Sequence, residues 1–336
     1  MSAPVLLLHT ALSTESGVED RDVLVQAEAV ESALRRLGRR VERLPCSLNL
    51  EHLVVTLRQL RPSVVFNLVE SVGGSDGLAH LIPAVLEYLH IPFTGSGTNS
   101  LQITNDKLRT KIVLGDQLRP VRIPEFALAN DSRKLLGPPK KFILKAIREH
   151  ASVGIDDAAI ITAAPRDLPR IIAEHSRRIG RECFAEEFIA GREFNLSLLA
   201  NGGSVQVLPP AEIDFSTFPV DKPRIVGYDA KWSETSFEFV NTPRRFDLPP
   251  EDDALVQALA RAAAQCWGLL DLKGYVRVDF RVDPAGVPYL LEVNTNPCLS
   301  PDAGFAAALE AAGIDFTTAV ERILADAFRG DGLGGL

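Results

Sequence analysis

The sequence predicts an α/β protein whose first hundred residues form a parallel sheet with helices on its faces. Short apolar runs, typical of buried strands, alternate there with two amphipathic segments. The strands are expected at Val5–Leu8, Val41–Leu44 and Val64–Phe66, and the helices at Asp22–Leu37 and Leu50–Leu60. A βαβαβ order implies parallel strands, because each connection crosses back over the sheet.

Two further units are expected after the first. Residues 104–190 carry strand and helix patterns predicted at Asp106–Gly115, Phe126–Ala129, Phe142–Ala146, Ala164–Gly180 and Phe184–Ile189. Residues 191–336 contain a predicted helix, Glu251–Trp267, followed by two strands. The predicted boundaries are therefore 1–103, 104–190 and 191–336.

Composition narrows the class of protein. The chain has 336 residues, 46% of them hydrophobic, and a net charge of -8, which argues against a nucleic-acid partner. No stretch reads as a signal peptide or a membrane span, so we expect a cytoplasmic protein without a membrane partner. Four scattered cysteines without a CxxC pair indicate neither a zinc site nor a disulfide framework.

The strand pair Tyr275–Val282 and Tyr289–Asn294 carries the strongest functional pattern. Side chains alternate along a strand, so Arg277, Asp279 and Arg281 share one face. The other face looks like core and consists of Val276, Val278, Phe280 and Val282. On the second strand, the same period places Leu290, Glu292 and Asn294 on one face. If Val282 lies opposite Tyr289, then Asp279 lies opposite Glu292 and Arg277 lies opposite Asn294.

Two directly opposed carboxylates repel each other unless a cation lies between them. With Asn294, the predicted site offers only oxygen ligands, which suit Mg²⁺ or Mn²⁺. The alternative is a solvated sheet face where charges mix freely. The apolar residues around Glu292 and Asn294 indicate a buried strand and favour the metal site.

Two lysines and a loop are candidate phosphate ligands. Lys107 lies in the first turn of a predicted helix, where cations are not favoured, and Lys145 ends an apolar strand. The small residues of Arg148–Gly154 would let a backbone approach phosphates closely. Each feature also has an ordinary interpretation: a capped helix, a lysine extending to solvent, and a surface loop.

Together these segments resemble the ATP-grasp superfamily and, within it, the D-alanine–D-alanine ligases. The resemblance covers almost the whole chain and rests on segments at Val65–Asn67, Gly73–Gly77, Pro92–Gly97, Asn105–Lys111, Leu144–Lys145, Ser152–Gly154, Glu186–Phe188, Gly191–Phe194, Tyr228–Lys231, Arg277–Asp279 and Leu290–Pro297. It implies an N-terminal parallel-sheet domain followed by two α+β sub-domains that hold ATP between them.

The resemblance also implies the role of each matched residue. ATP would be contacted by Lys107, Lys145, Glu186, Glu187, Phe188, Ile189, Glu193 and Lys231. The first two would bind phosphates, Glu186–Ile189 the adenine, Glu193 the ribose and Lys231 the γ-phosphate. Two Mg²⁺ or Mn²⁺ ions would be held by Asp279, Glu292 and Asn294. Ser152 would lie in the phosphate-covering loop, and Arg277 would stabilise the oxyanion of a tetrahedral intermediate.

Departures from the family pattern cluster where the amino-acid substrates would bind. The usual glycine-rich loop is replaced by His9–Ser16, in which Glu15 would hold the first amino group. Glu70 stands for a histidine, Cys298 for a glycine, Trp232 for a tyrosine, and Ala303–Gly304 for the Ser-Leu pair that clamps the second carboxylate.

The sequence therefore predicts an ATP-dependent ligase that joins amino-acid or peptide substrates other than two D-alanines, through an acyl phosphate. Three alternatives stay open: an authentic D-alanine–D-alanine ligase, a catalytically silent nucleotide-binding regulator, and a kinase that releases the acyl phosphate. The resemblance further implies a homodimer.

Overall fold

The structure, a computed structural model, describes residues 3–12, 17–130, 137–149, 152 and 154–329, with the backbone alone for 18–20. The N-terminal sheet is parallel, as predicted, with strand order β2-β1-β3. The elements of this unit are β1 Val5–Thr10, α1 Val18–Arg36, β2 Val41–Cys46, α2 Leu50–Leu60, β3 Val64–Leu68, α3 Leu81–Tyr88 and α4 Thr98–Thr104.

Strand β1 is buried on both faces, which explains its continuous apolar run. Val5 and Leu7 pack with α1 and the C-terminal helix α11 (Phe316–Asp326), whereas Leu6 and Leu8 pack with α2 and α3. The last helix of the chain thus completes the core of the first sheet, a contact that the sequence did not indicate.

The middle unit is a four-stranded antiparallel sheet of order β4-β7-β5-β6. Its elements are α5 Lys107–Leu114, β4 Phe126–Ala127, β5 Lys140–Ala146, β6 Ile160–Ala163, α6 Leu168–Ile179 and β7 Cys183–Glu187. Helix α6 packs Leu168 and Ile172 on Phe142 and Leu144, and it ends at Gly180, whose φ of 68° suits a left-handed cap.

The third unit is a sheet of order β11-β10-β8-β12-β13, with β9 paired to β8. Its elements are β8 Arg192–Asn201, β9 Ser204–Val207, β10 Ala211–Ile213, α7 Tyr228–Trp232, α8 Phe237–Val240, β11 Arg244–Arg245, α9 Asp253–Leu269, β12 Tyr275–Val282, β13 Pro288–Asn294, α10 Gly304–Ala311 and α11. Helix α9 covers one face of this sheet, and the other face borders a deep cleft.

The hairpin β12–β13 confirms the two predicted residue pairs that contain the candidate metal ligands. Asp279 lies opposite Glu292, and Arg277 lies opposite Asn294. The predicted pairing of Val282 with Tyr289 is wrong, because Val282 faces Pro288.

A bulge between the pairs 279/292 and 280/290 adds one residue, Leu291, to β13. The bulge also corrects the predicted face of Leu290. That side chain lies in the core with Val293, while Leu291 joins Glu292 and Asn294 at the cleft. Within the described part of the chain, no helix is both long enough and apolar enough to cross a membrane.

Candidate active site

A cleft of about 480 Å³ lies where the three units meet. Of the residues predicted for the site, those that line it are Lys107, Lys145, Ser152, Glu186, Glu187, Phe188, Ile189, Glu193, Lys231, Arg277, Asp279, Glu292 and Asn294. Glu15 lies outside the described residues, so its predicted role is not examined by the structure. We call the part lined by Lys145, Glu186–Ile189 and Glu193 the nucleotide end.

Glu186 is the most enclosed carboxylate of the cleft. It lies between two ammonium groups: Lys111 Nζ is 2.6 Å from its Oε1, and Lys145 Nζ donates to its Oε2. Burial acts to raise the pKa of Glu186, but the two lysines outweigh it and hold the pKa below its usual value. Glu186 is therefore an anion that fixes the position of Lys145 at the cleft wall.

Lys111 lies in a segment that resembles the family, and its side chain forms a buried link between two units. Its side chain is 1% exposed, and burial lowers its pKa, with Glu186 acting in the opposite direction. Its Nζ also donates to Leu291 O at 2.8 Å and to Leu290 O at 3.3 Å. These are the carbonyls beside the bulge, so Lys111 connects the middle sheet to the hairpin.

The segment after Glu186 forms the wall predicted to contact a base. The Glu187 N–H donates to Glu125 O at 2.8 Å, and the Phe188 N–H donates to Lys141 O at 3.0 Å. These two donors already have protein partners, so a ligand there would contact other groups of the segment.

Glu193 is held by Arg281, a residue that the sequence placed on the cleft face without a function. Arg281 donates to Glu193 Oε2 from Nε at 3.0 Å and from Nη2 at 2.7 Å. It also donates to Ile189 O at 3.3 Å and to Arg224 O. One buried guanidinium thus joins the wall segment, strand β8 and the loop before α7.

Asp279 is the buried carboxylate at the centre of the cleft. Arg277 donates to both of its oxygens at 2.8 Å, and Asn195 Nδ2 donates to Oδ1 at 2.9 Å. Burial raises the pKa of Asp279; Arg277 opposes this shift and Glu292 adds to it. In turn Asp279 raises the pKa of Arg277 against the effect of burial. The second carboxylate therefore adds repulsion that a cation would relieve.

Glu292 has cations nearby but at longer distances. Lys107 Nζ is 3.7 Å from its Oε2, and Arg277 Nη2 is 3.8 Å from its Oε1. Lys107 itself donates to Glu149 O. Asn294 Oδ1 accepts the Asn296 N–H at 3.0 Å.

The donor set fits a hard divalent cation. Asp279, Glu292 and Asn294 offer only oxygen atoms, and two of the three are carboxylates on directly opposed residues. The set contains only two carboxylates. Among the described residues, no cluster of three or more His, Cys, Asp or Glu side chains has the arrangement of a metal site. An ion here would take its remaining ligands from phosphate oxygens and water, as Mg²⁺ does.

Lys231 and Ser152 flank the same space. Burial lowers the pKa of Lys231, and the charge of Arg277 lowers it further. Ser152 has a φ of 59°, and its hydroxyl donates to Val226 O at 3.1 Å. The Ser152 contact joins the predicted phosphate-covering loop to the segment that precedes α7.

The opposite part of the cleft is lined by Asp22, Glu70, Arg244, Cys298, Ala303 and Gly304, and we call it the substrate end. Asp22, on α1, accepts from Cys298 Sγ at 2.9 Å and from Ser300 Oγ at 2.7 Å. Gln26 donates to Glu70 Oε1 at 2.7 Å and accepts the Leu299 N–H at 3.1 Å. Two residues that depart from the family pattern, Glu70 and Cys298, thus each bond to a polar side chain of α1.

Sequence reasoning missed several of these groups. Asn195 sits on β8, a strand that was not predicted, although its alternating apolar residues were a usable signal. Asp22 begins the predicted helix Asp22–Leu37, and the sequence pattern gives it no other role. Lys111 looks like an ordinary helical lysine, and no sequence pattern marks it as buried.

The fold and cleft define a class: two α+β units that face each other over buried lysines and paired carboxylates are the ATP-grasp architecture. The family described as D-ala D-ala ligase C-terminus matches residues 132–325. A D-alanine–D-alanine ligase of Carboxydothermus hydrogenoformans is 30% identical over 91% of this chain and 93% of its own length.

Solved structures agree on the fold. The Bacillus anthracis D-alanine–D-alanine ligase complexed with ATP has a TM-score of 0.70 at 21% identity, covering 98% of each chain. The D-alanyl-alanine synthetase A of Vibrio cholerae has a TM-score of 0.71 at 16% identity, covering 97% of this chain and 99% of its own. The chain belongs to the D-alanine–D-alanine ligase family. This confirms the expected fold and enzyme class, an ATP-dependent ligase that forms a C–N bond.

Proposed function

We propose that this chain binds ATP with two Mg²⁺ ions and joins two amino-acid-type substrates, at least one of which is not D-alanine. The observation that carries the nucleotide part is the facing pair Asp279 and Glu292, with Lys107 and Lys145 in the same cleft. The ATP complex of the Bacillus anthracis relative supports this use of the cleft.

The proposed reaction has two steps. A carboxylate oxygen of the first substrate attacks the γ-phosphorus, and ADP leaves. The amine of the second substrate then attacks the acyl carbon, loses a proton and displaces phosphate. Mg²⁺ would neutralise the phosphate charge during the first step.

The chain's own side chains supply positioning and charge. Lys145, fixed by Glu186, and Lys107 would hold phosphate oxygens, and Lys231 would approach the γ-phosphate. Arg277 would donate to the oxyanion that forms as the amine attacks. Arg277 is held in place by its two bonds to Asp279, which limits the reorganisation needed.

Residues at the substrate end support the proposal that at least one substrate is not D-alanine. A site built from hydrogen-bonding groups discriminates strongly, because mismatched groups are left unpaired. Glu70, Cys298, Ala303 and Gly304 all line this end, so the departures lie where substrates would bind. The named relatives favour the second candidate function, authentic D-alanine–D-alanine ligation.

ADP release with Mg²⁺-ATP and a panel of D- and L-amino acids, followed by mass spectrometry, tests the proposal. We expect release and an amide product with a pair other than two D-alanines. Efficient formation of D-alanyl-D-alanine alone would establish the second candidate. Release without amide would indicate a kinase, and no release would indicate a silent protein. The homodimer stays a prediction that light scattering can test.

A further inference from the structure

Arg244 is a charged residue of the substrate end for which the sequence suggested no role. It lies on the short edge strand β11, opposite Ile213 of β10. Its Nη1 donates to Asp302 O at 3.4 Å, a weak contact with a neutral group. Among the residues that the structure describes, no carboxylate lies within ion-pair distance of its guanidinium.

The other two arginines of the cleft differ from Arg244 in this respect. Arg277 is paired with Asp279, and Arg281 is paired with Glu193. Arg244 is an exposed residue whose side chain lines the cleft. Desolvation and then the charge of Arg277 lower its pKa, and Asp302 acts in the opposite direction. Two nearby guanidiniums, one of them lacking a carboxylate, make this side of the cleft favourable for an anion.

Gly304 leaves room for the guanidinium of Arg244. A Cβ atom on Gly304 would lie 3.1 Å from Arg244 Nε and 3.6 Å from its Cζ. A Cβ at this position would therefore require the guanidinium to move by a few tenths of an ångström. Gly304 also begins α10, whose first N–H groups lack intrahelical partners. The guanidinium of Arg244 thus lies against Gly304 at the cleft wall.

The charge distribution of the cleft indicates which ligand group would reach Arg244. Phosphates would lie between Lys107, Lys145 and the hairpin, so substrates must occupy the substrate end. There, Asp22 and Glu70 supply carboxylates, and neither is among the charges that shift the pKa of Arg244, which lies beside Gly304. Carboxylates and a guanidinium in one end of a cleft suit a zwitterion, whose ammonium and carboxylate need opposite charges.

We propose that Arg244 is a specificity-determining residue, which binds the carboxylate of the amine substrate in the space that Gly304 leaves open. The inference rests on the proposed function and names the group that its second substrate must carry. A free amino acid satisfies Arg244, whereas the corresponding carboxamide leaves the guanidinium without an anion.

The matched variants are Arg244→Ala and Arg245→Ala. Arg245 is the next residue on the same strand, has Asp247 at 3.5 Å and does not line the cleft. With D- and L-alanine and D- and L-serine as amine substrates, Arg244→Ala should raise the KM of the amine substrate at least about tenfold, the loss expected for a charged hydrogen bond. The KM for ATP should not change, and Arg245→Ala should match the unmodified chain.

Carboxamides of the same amino acids separate binding from a general structural effect. The unmodified chain should prefer each acid over its amide at least about tenfold, and Arg244→Ala should lose this preference. Gly304→Ala should weaken the preference as well, by displacing the guanidinium. Gly268→Ala is its control, because nothing lies within 4 Å of a Cβ there.

The outcomes distinguish the inference from the proposed function. Product formation by the unmodified chain, with an equal acid-to-amide preference in Arg244→Ala, would overturn this inference alone. The absence of amide product from the unmodified chain with every probe would overturn the proposed function and the inference with it.

Discussion

At the nucleotide end of the cleft, Glu186 lies between Lys111 and Lys145, and Glu193 pairs with Arg281. At the substrate end, the described partners of Asp22 are neutral donors, and Arg244 has no described carboxylate partner. The protein balances the charges of Glu186 and Glu193 at the first end, whereas at the second end the partners of Asp22 and Arg244 among the described residues are neutral.

This difference teaches where each kind of specificity resides. A cleft end with paired charges is preorganised, so its geometry changes little when a ligand binds. An end with unbalanced charges selects ligands that complete it. Variants at the two ends should therefore have separate effects. Variants at the nucleotide end should change the KM for ATP, and variants at the substrate end should change the KM for amino acids.

The largest effect is expected at the boundary between the ends. Glu292→Gln removes one of two facing carboxylates and should lower turnover by at least about a thousandfold, because the divalent ion loses a charged ligand. Thermal unfolding should be unchanged, and Glu310→Gln, on the exposed part of α10, is the control. Full turnover in Glu292→Gln would refute the metal assignment.

Lys111→Met tests whether the nucleotide end depends on its buried charges. Removing one partner of a buried ion pair should lower the free energy of unfolding by about 3 kcal/mol, measured by urea denaturation. Lys140→Met is the control. Lys140 is 33% exposed and contacts Glu125 at 2.7 Å, so its loss should cost under about 1 kcal/mol. Equal losses would show that burial of Lys111 contributes nothing.

The variant Arg281→Met tests whether contacts at the nucleotide end affect the KM for ATP without affecting the KM values for amino acids. The variant loses the contacts that join Ile189, Glu193 and Arg224, so the KM for ATP should rise about tenfold, while the KM values for amino acids should not. Arg192→Met is the control, since Arg192 pairs with Glu212 and Asp252 away from the cleft. A rise confined to the amino-acid KM values would reverse the assignment of the two ends.

The smallest effect is expected for Asp22→Asn. The amide accepts less strongly than a carboxylate from the Cys298 and Ser300 side chains, so steady-state kinetics should show a roughly threefold rise in amino-acid KM. The KM for ATP should stay constant. Glu28→Gln, on the exposed face of the same helix, is the control. A change in the ATP KM alone would contradict the separation of the two ends.

The spacing of apolar residues was sufficient to predict much of the fold. The three parallel strands and α2 were predicted because buried strands and amphipathic helices follow simple spacing rules. Strand β8 was not predicted, although it lies at the centre of the third sheet. Its sequence interleaves Glu193, Asn195 and Ser197 with apolar residues, and the first two face a cleft that only the assembled units create.

The parts of the site that lie on one strand or one hairpin were predictable from the sequence. Asp279 and Glu292 face each other because both belong to one hairpin, and the bulge altered the register only on the turn side. Contacts between units could not be predicted, because Lys111 with Glu186 and Asp22 with Cys298 are far apart in sequence. The roles of the site residues stay predictions, and the role of Glu15 does too.

The buried contacts of Lys111 have a consequence for motion. Its ammonium contacts Glu186 of the middle sheet and donates to the carbonyls of Leu290 and Leu291, so one buried side chain links the middle sheet to the hairpin. Separating them would break a buried ion pair, whereas the substrate end has no such contact across it among the described residues. Motion that widens the substrate end alone should therefore cost less free energy than motion that separates the middle sheet from the hairpin.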